Sequence, residues 1–570
     1  MRLFHFFLAS VSLSFAIPSS AQDDSWAQKT LQKMSLDEKI GQLFMIAGYV
    51  DPEYASREIG NSQIIQEIDP YITEYHVGGI AYVGPSEYAK QIALTNHYQE
   101  ISKVPILIAQ DLEWGLSMRI KDGLQFPKNI TLGAIDDNGL IYEMGKEIGN
   151  QAKLVGVHMN LSPVLDVNIE PENIVINVRS FGSSPQQVAE KGVAMIRGLQ
   201  DAGIIASAKH FPGLGDIFVD PHLALPCSKH GRKRLQDVEL YPFDQAIKAG
   251  VLSIQTEHLM VPSLESDPKT PSSLSPKIVN DLLKKEMGFT GLVLSGALRM
   301  KALTTHLSDE EIVLKAFLAG SDMLLMPQDF PKAYQTLKTA LTDGKITEKD
   351  VNERVLKILQ MKEKVKLDRQ CIVAVPRSEQ LHSPFAKALK KRLYRSAISL
   401  TRDHEHLVPL SLSKKNSVAY IQLGDAPSTD YLEKLSQSLT LDAFIFPLAE
   451  DNSKEEQRLL QQIDKYSLVI LTVYPADPRR IVEIRLLNEK HQKEELKHFR
   501  VHGIPESLVH LADILERYQK KTIVTFFGNP FGIHFFNGYS TLIMGYEADP
   551  DAQQAVIDIL MGQCNPIARM

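Results

Sequence analysis

The densest group of polar side chains in the sequence is the stretch KHFPGLGDIFVDPH, which runs from Lys209 to His222. A cation and an imidazole, Lys209 and His210, open the stretch at the predicted end of a strand. A Pro-Gly-x-Gly turn then leads into a loop that carries Asp220 and His222, separated by one residue. Imidazole titrates near neutral pH, and a neighbouring carboxylate fixes its tautomer and stabilises its charged form. The pair predicts general acid–base chemistry, although an exposed loop histidine beside an unrelated aspartate fits the spacing equally well.

Other polar side chains follow the predicted strands, at the points where each strand ends. They are Asp111, Glu113, Arg119, Asp166, Arg179, Glu257 and His258. Their spacing is not typical of metal ligands, so no metal is expected. Carboxylates accept hydroxyl protons and cations donate to ring and hydroxyl oxygens, which suits a neutral polyhydroxylated ligand. For any single residue a structural salt bridge is an equal alternative, and the shared position at strand ends is what favours a binding site.

The elements that position these residues are apolar runs of strand length, which alternate with amphipathic helical stretches. The predicted strands are 42–49, 78–84, 105–111, 157–167, 204–213, 251–260, 291–298 and 322–327. Near-continuous apolar runs are typical of parallel strands that are covered on both faces. Eight such units predict an α/β fold with a (β/α)8 TIM-like barrel, and a doubly wound sheet is the alternative. In a barrel, the polar residues at the carboxyl ends of the strands share one face, where barrel enzymes have their active sites.

A second, smaller α/β unit is predicted after the barrel. The stretch 355–370 predicts a closing helix and a linker. Four further apolar runs predict the strands of an α/β sandwich domain, and they cover residues 417–424, 467–474, 522–530 and 541–547. We therefore expect a barrel domain over 25–370 and a second domain over 385–570.

The N-terminus has the order of a secretory signal peptide over residues 1–21. Arg2 precedes an apolar stretch, and small residues end at Ala21, where we expect cleavage. The apolar part is too short for a membrane span, and no later segment is long and apolar enough for one. The sequence thus predicts an exported protein, periplasmic or extracellular.

Composition and motifs exclude several function classes. The 570-residue chain has a formal net charge of −7 and no concentrated basic stripe, which argues against a nucleic-acid partner. No glycine-rich phosphate loop follows a strand in the required pattern, so no nucleotide cofactor is expected.

The motifs resemble those of glycoside hydrolase family 3, in particular its β-N-acetylglucosaminidase (β-N-acetylhexosaminidase) branch. The family signature is K-H-[FI]-P-G-H-G, four variable residues and D-[ST]-H, and this chain has KHFPGLG, DIFV and DPH with the same spacing. Further matching stretches are DLEWGLSMR, SPVLDV, INVRSFG, QTEHL and AGSDMLLMP. The resemblance covers about residues 28–370, and more weakly the later part of the chain.

The resemblance implies a role for each matched position. His222 is implied as the acid/base, oriented by Asp220. The residues implied to bind the sugar substrate are Asp111, Arg119, Arg179, Lys209, His210 and His258. The family nucleophile is an Asp in the motif [ST]-D-[AD]-[LM], and this chain has Ser295-Gly296-Ala297-Leu298, so Gly296 stands at the nucleophile position.

Three departures from the family pattern touch the catalytic apparatus. Gly296 supplies no carboxylate, although a retaining glycosidase needs one to attack the anomeric carbon. Leu214 replaces a frequent His, and Pro221 stands where Ser or Thr is usual, which fixes φ and removes a donor. Glu257 is the best candidate for a substitute carboxylate, but alternation along a strand argues against it if His258 faces the site.

Three hypotheses about function follow. The first is an exported retaining glycosidase that hydrolyses terminal β-linked N-acetylglucosamine in cell-wall or chitin-type glycans, including peptidoglycan in turnover. The second is a catalytically impaired relative, a pseudoenzyme that still binds such a glycan. The third is an exported scaffold that makes no use of the site, and the intact Arg119, Arg179 and Lys209 argue against it.

Overall fold

The first domain is a closed barrel of eight parallel strands. In the computed structural model the described residues are 25–51, 68–171, 173, 175–217, 224–411, 417–448, 451–476, 502–518 and 521–564. The barrel strands are β1 (Phe44–Gly48), β2 (Gly79–Tyr82), β3 (Leu107–Gln110), β4 (Met159–Asn160), β5 (Ile205–Phe211), β6 (Ser253–Thr256), β7 (Leu292–Leu294) and β8 (Leu324–Leu325). All eight lie within the predicted ranges, and the predicted TIM-type architecture is confirmed.

The strands follow one another around the barrel in sequence order. The sheet order is β7-β6-β5-β4-β3-β2-β1-β8, and every pair in it is parallel. A bridge between Leu294 and Met323 joins β7 to the segment that enters β8, and so closes the ring. Closure brings the carboxyl ends of all eight strands to one end of the barrel, as the sequence predicts for the site.

Helices cover the outside of the barrel and connect its strands. They are Trp26–Lys33, Leu36–Gln42, Asp69–Thr73, Tyr88–Ile101, Asn129–Gly133, Asn138–Leu154, Pro185–Asp201, Arg232–Asp237, Tyr241–Lys248, Lys277–Glu286, Lys301–Thr304, Asp309–Ala319, Phe330–Thr342 and Glu348–Lys364. Capping boxes begin several of them, for example Ser35 with Glu38 and Ser308 with Glu311. The segment Lys277–Glu286 is a π-helix.

The second domain is a six-stranded sheet between helices. Its strands are β9 (Ser399–Asp403), β10 (Val418–Gly424), β11 (Leu441–Phe446), β12 (Leu468–Tyr474), β13 (Thr522–Phe526) and β14 (Thr541–Met544), in the order β11-β10-β12-β13-β14-β9. Only β9 is antiparallel to its neighbour. The described helices of this domain are Ser378–Leu381, Pro384–Ala397, Asp430–Ser438, Ser453–Leu460, Glu506–Arg517 and Pro550–Leu560.

The two faces of the second sheet bury separate apolar clusters, as an α/β sandwich requires. The domain also contacts the barrel through polar side chains. Glu547, which lies beyond β14, accepts hydrogen bonds from the Lys128 N–H and from Thr131 Oγ1. Within the described part of the chain, no helix combines the length and the apolar character that a membrane crossing requires.

Candidate active site

Lys209 is the centre of a charged cluster at the carboxyl ends of β3 and β5. Its Nζ lies 2.7 Å from Asp111 Oδ1 and 3.0 Å from Glu113 Oε1. The Lys209 side chain is 4% exposed and the Glu113 side chain is fully buried, so the ion pairs are shielded from bulk water. The sequence places the two carboxylates just after β3, and the parallel pairing of the strands brings the lysine of β5 to them.

Two arginines complete the cluster on its more exposed side. Arg119 Nη2 donates to Asp111 Oδ2 over 2.7 Å. The guanidinium of Arg179 holds Glu113 with two nitrogens, Nη2 at 2.7 Å from Oε1 and Nε at 3.0 Å from Oε2. About a quarter of each of the Asp111, Arg119 and Arg179 side chains is exposed. These three are therefore the most exposed side chains of the cluster.

His210 joins the cluster through a buried aspartate. Its Nδ1 lies 2.6 Å from Asp166 Oδ2, and Arg179 Nη2 lies 3.4 Å from its Nε2. Since guanidinium can only donate, Nε2 is an acceptor and Nδ1 carries the proton toward the carboxylate. Asp166 Oδ1 also accepts the Leu214 N–H over 2.6 Å, so Asp166 ties His210, near the end of β5, to the turn that follows the strand.

Electrostatics fix the charge state of the cluster. Burial alone would raise the pKa of Asp111, but Lys209 and Arg119 outweigh it and hold that pKa well below its ordinary value. Burial acts on Glu113 in the same sense, yet Arg179 and Lys209 lower its pKa to about 2. Both carboxylates are therefore ionised at every pH at which the protein would ordinarily work. We use the name charged cluster for Asp111, Glu113, Arg119, Arg179, Lys209 and His210.

The ends of β6 and β7 form a different kind of surface, the Gly296 wall, made of Thr256, His258, Ser273, Gly296 and Ala297. His258 Nε2 lies 2.9 Å from the Ala297 carbonyl oxygen, and its Nδ1 lies 2.7 Å from Ser273 Oγ. Because a carbonyl only accepts, Nε2 carries the proton. The ring is fully buried, so the structure places His258 behind the surface and not at it. Its implied contact with the sugar stays a prediction, and its geometry is that of a support.

The ring of His258 occupies the space next to Gly296, the position implied for the nucleophile. A Cβ added to Gly296 would lie 2.8 Å from His258 Cε1, 2.9 Å from its Nε2 and 3.0 Å from the Thr256 carbonyl oxygen. Such separations are shorter than ordinary van der Waals contacts, so any side chain at 296 displaces its neighbours. The wall is packed around a glycine.

Glu257 is a buried carboxylate at the end of β6. It is 5% exposed, and its Oε1 accepts the N–H of His258 over 2.7 Å. Among the described residues, no cation lies within ion-pair distance of its carboxylate. The alternation argument against Glu257 applies only if His258 faces the site, and the His258 ring is fully buried.

The implied acid/base lies outside the described residues, together with its partner. This applies to Asp220, Pro221 and His222. Their roles stay predictions. Leu214, the other departure in this stretch, is buried, and its carbonyl accepts from Asn173 Nδ2 over 2.7 Å.

One described group of side chains has the proximity that a metal ion needs. It consists of Asp216, His230 and Glu239. Arg234 already donates to both carboxylates, through Nη2 to Asp216 and through Nη1 to Glu239. A guanidinium thus supplies the positive charge there, and the group is a structural ion cluster.

Several contacts in and around the site are not predictable from the sequence. The pairing of Glu113 with both Lys209 and Arg179, the contact of Ser273 with His258, and the contact of Asn529 with Asn177 join residues distant in the chain. The sequence indicates Glu113 as a site residue, because it follows Asp111 at the end of β3. It does not indicate Asn529, because nothing in the sequence relates the second domain to this edge of the barrel.

Comparisons with known proteins agree with this geometry. A sequence profile of the glycosyl hydrolase family 3 N-terminal domain matches residues 35–361. The chain therefore belongs to glycosyl hydrolase family 3, and a glycosidase is the class of enzyme that this membership supports. The family resemblance inferred from the motifs is confirmed.

The individual relatives point in the same direction. A Cellulomonas fimi protein named beta-N-acetylglucosaminidase/beta-glucosidase is 28% identical over 426 residues, covering 72% of this chain and 73% of that protein. Beta-hexosaminidase A of Pseudoalteromonas piscicida is 26% identical, covering 84% of each chain. The solved structure of a glycoside hydrolase family 3 beta-N-acetylglucosaminidase from a Paenibacillus species is 28% identical with a TM-score of 0.74, covering 94% of this chain and 98% of that one.

Proposed function

We propose that this protein binds a terminal β-linked N-acetylhexosamine of a glycan and hydrolyses it far more slowly than an ordinary glycosidase. One observation carries the proposal. The charged cluster is fully assembled, whereas the nucleophile position holds Gly296 with the His258 ring packed against it.

The charged cluster supports the binding half of the proposal. Ion pairs hold Asp111, Arg119 and Arg179 in place before any ligand arrives, so little side-chain freedom is lost on binding. The exposed part of Asp111 accepts from sugar hydroxyls, and the two guanidiniums donate to hydroxyl or carbonyl oxygens. A neutral sugar suits this arrangement because the cluster already balances most of its own charge.

The Gly296 wall supports the slow-turnover half. In a retaining mechanism, a carboxylate attacks the anomeric carbon as the leaving oxygen takes a proton, and water later cleaves the glycosyl-enzyme ester. Glycine has no atom that forms this ester. Without it, only direct attack by water remains, and loss of a nucleophile lowers the rate by several orders of magnitude.

A second candidate is an active hydrolase in which Glu257 replaces the missing carboxylate. The observation in its favour is that Glu257 is buried at the end of β6 without a described cation partner. Its Oε1 is already engaged by the His258 N–H, which is why we rank this candidate second.

We further propose that the protein is exported and meets its glycan outside the cytoplasm, in cell-wall or chitin-type material. The order of charged, apolar and small residues over 1–21 supports export. Expression of the full chain followed by fractionation and mass spectrometry tests it. We expect a mature form that begins after Ala21 in the exported fraction, and an uncleaved chain in the cytoplasm would contradict export.

Calorimetry with N-acetylglucosamine and its β-linked dimer tests the binding half. We expect saturable heat from the wild-type protein and none from Asp111→Asn, which removes the charge shared by Lys209 and Arg119. An unaltered Asp111→Asn isotherm would place the sugar elsewhere, and no wild-type heat would rule out the binding proposal.

Turnover of a chromogenic β-N-acetylglucosaminide separates the two candidates. We expect a very low rate that Glu257→Gln leaves unchanged. A substantial rate that disappears in Glu257→Gln, while sugar binding persists, would favour the second candidate instead.

A further inference from the structure

The second domain meets the barrel directly beside Arg179. Asn529 lies just beyond β13, and its Nδ2 donates to Asn177 Oδ1 over 2.6 Å. Its Oδ1 accepts the Phe531 N–H over 3.0 Å, so both ends of the amide are fixed. Both asparagines are buried, at 7% and 6% exposure, which makes the contact part of the domain interface and not a surface bond.

A second contact from the same domain is linked to Arg179 through one intervening residue. Glu547 accepts from the Lys128 N–H over 2.8 Å and from Thr131 Oγ1 over 2.6 Å. Asn129 lies between these two barrel residues in the chain, and its Nδ2 donates to the Arg179 carbonyl oxygen over 2.6 Å. Glu547 thus anchors the short helix whose first residue holds the Arg179 backbone.

The turn that carries Arg179 has a conformation that needs such support. Asn177 has a φ of 37°, in the left-handed region that residues other than glycine rarely adopt. Asn168 Nδ2 donates to the Asn177 carbonyl, and Asn529 holds the Asn177 side chain. A backbone in a sparsely populated conformation persists only where its surroundings fix it.

The Arg179 backbone sets where its guanidinium lies. From this turn the side chain reaches Glu113 through Nη2 and Nε, and its Nη1 donates to the Val175 carbonyl over 3.1 Å. A small rotation of the turn therefore misaligns a paired contact in the charged cluster, since two parallel hydrogen bonds are geometrically demanding.

We propose that the second domain acts as a positioning element for the sugar site, with Asn529 holding the Arg179 turn directly and Glu547 holding it through Asn129. The domain raises sugar affinity without touching the sugar. The inference rests on the proposed function for its affinity measurement, and it names the role of the second domain in that same site.

The alternative is that these contacts only dock the two domains. The chain offers a matched control, because Arg392 of the second domain donates to Glu143 of the barrel helix Asn138–Leu154 over 2.9 Å. This pair is exposed, and neither residue has a described contact with Arg179 or its turn. Arg392→Ala removes an interdomain contact and leaves the Arg179 turn intact.

The test compares sugar affinity by calorimetry in wild type, Asn529→Ala, Asn529→Asp, Asn177→Ala, the double variant Asn177→Ala/Asn529→Ala and Arg392→Ala. We expect Asn529→Ala to bind N-acetylglucosamine about 3- to 10-fold more weakly, the loss typical of one buried hydrogen bond. We expect Asn529→Asp to bind the sugar more tightly than Asn529→Ala does, because the Asn177 amide can turn and donate a hydrogen bond to the new carboxylate. Arg392→Ala binds the sugar as wild type does. The double variant Asn177→Ala/Asn529→Ala binds it no more weakly than either single variant, because both substitutions remove the same hydrogen bond.

Equal weakening in Arg392→Ala and Asn529→Ala, or an unchanged Asn529→Ala, would overturn the positioning role. Failure of the proposed function looks different, since wild type itself would then give no saturable heat. A second readout covers that case: the Nε–H resonance of Arg179 in arginine-labelled protein, assigned with Arg179→Lys. We expect it to shift in Asn529→Ala and not in Arg392→Ala, and an unshifted resonance would contradict the inference.

Discussion

The charged cluster and the Gly296 wall occupy the same end of one barrel but are built in opposite ways. In the cluster, Lys209 lies between Asp111 and Glu113, and each carboxylate also pairs with an arginine. In the wall, the buried ring of His258 is hydrogen-bonded to the Ser273 hydroxyl and to the Ala297 carbonyl, beside Gly296. One region is held by paired charges, and the other by close packing and neutral hydrogen bonds.

This difference makes binding and turnover separable in the proposed site. The residues of the charged cluster follow β3, lie on β5 or belong to the Arg179 turn, whereas Gly296 follows β7. No residue of the cluster is part of the Gly296 wall. We therefore expect substitutions in the two regions to affect stability, sugar binding and turnover differently. The largest effect is expected from a substitution in the charged cluster.

Replacement of Lys209 by methionine should give the largest effect. It removes the cation that bridges two buried carboxylates, and breaking such a pair destabilises a protein by about 3–5 kcal/mol. We expect that loss in urea unfolding, together with loss of sugar binding by calorimetry.

Lys248→Met is the matched control for Lys209→Met. Lys248 pairs with Asp244 at the surface, where it is largely exposed. We expect little change in stability or binding there. Equal effects of the two substitutions would show that the buried cluster has no special role.

Replacement of Gly296 tests the wall. The added Cβ would approach His258 Cε1 to 2.8 Å, so Gly296→Ala and Gly296→Asp should each lower the unfolding free energy by about 1–3 kcal/mol. We expect Gly296→Asp to remain slow in turnover, because the displaced ring disturbs the new carboxylate. Gly231→Ala is the control, since its Cβ would meet nothing within 4 Å. An ordinary glycosidase rate in a stable Gly296→Asp would show that the wall accepts a nucleophile.

Lys362 contrasts with Lys209 of the charged cluster, because it is a buried cation without an ion-pair partner among the described residues. Its Nζ donates to Gln42 Oε1 over 2.6 Å, and burial lowers the pKa of Lys362 to about 7 from 10.5 in the unfolded chain. Between these values the unfolded state binds more protons, so stability rises with pH.

The measurement is the unfolding free energy of wild type and Lys362→Met at pH 7 and pH 9. Relative to the variant, wild type should gain about 2 kcal/mol over this interval. The neighbouring imidazole is already neutral throughout, because burial lowers the pKa of His158 to about 3. Parallel pH profiles would show that Lys362 keeps its proton in the folded state.

Sequence patterns were sufficient for the barrel and less so for the second sheet. The eight barrel strands lie in largely apolar runs and are almost wholly buried, which marks them clearly. The strands β9 and β11 were not predicted, because they lie at the edges of the second sheet and are half exposed. Their mixed polarity is typical of edge strands and gives no continuous apolar run.

The site was predictable where the motif is local and not where contacts are distant. The motif located Lys209 and His210, and strand ends located Asp111. The His258 ring is hydrogen-bonded to Ser273, fifteen residues later in the chain. The turn that carries Arg179 is hydrogen-bonded to Asn529, which belongs to the other domain. Such contacts arise from tertiary packing, which the pattern of one segment does not encode.

The most direct test of the central claim measures binding and turnover on one sample of the full-length wild-type protein. We predict saturable heat with a β-linked N-acetylglucosamine dimer, and hydrolysis of that dimer at least about 1,000-fold below the roughly 1–1,000 per second of ordinary enzymes. Hydrolysis within the ordinary range, from a sample free of contaminating glycosidase, would contradict the account.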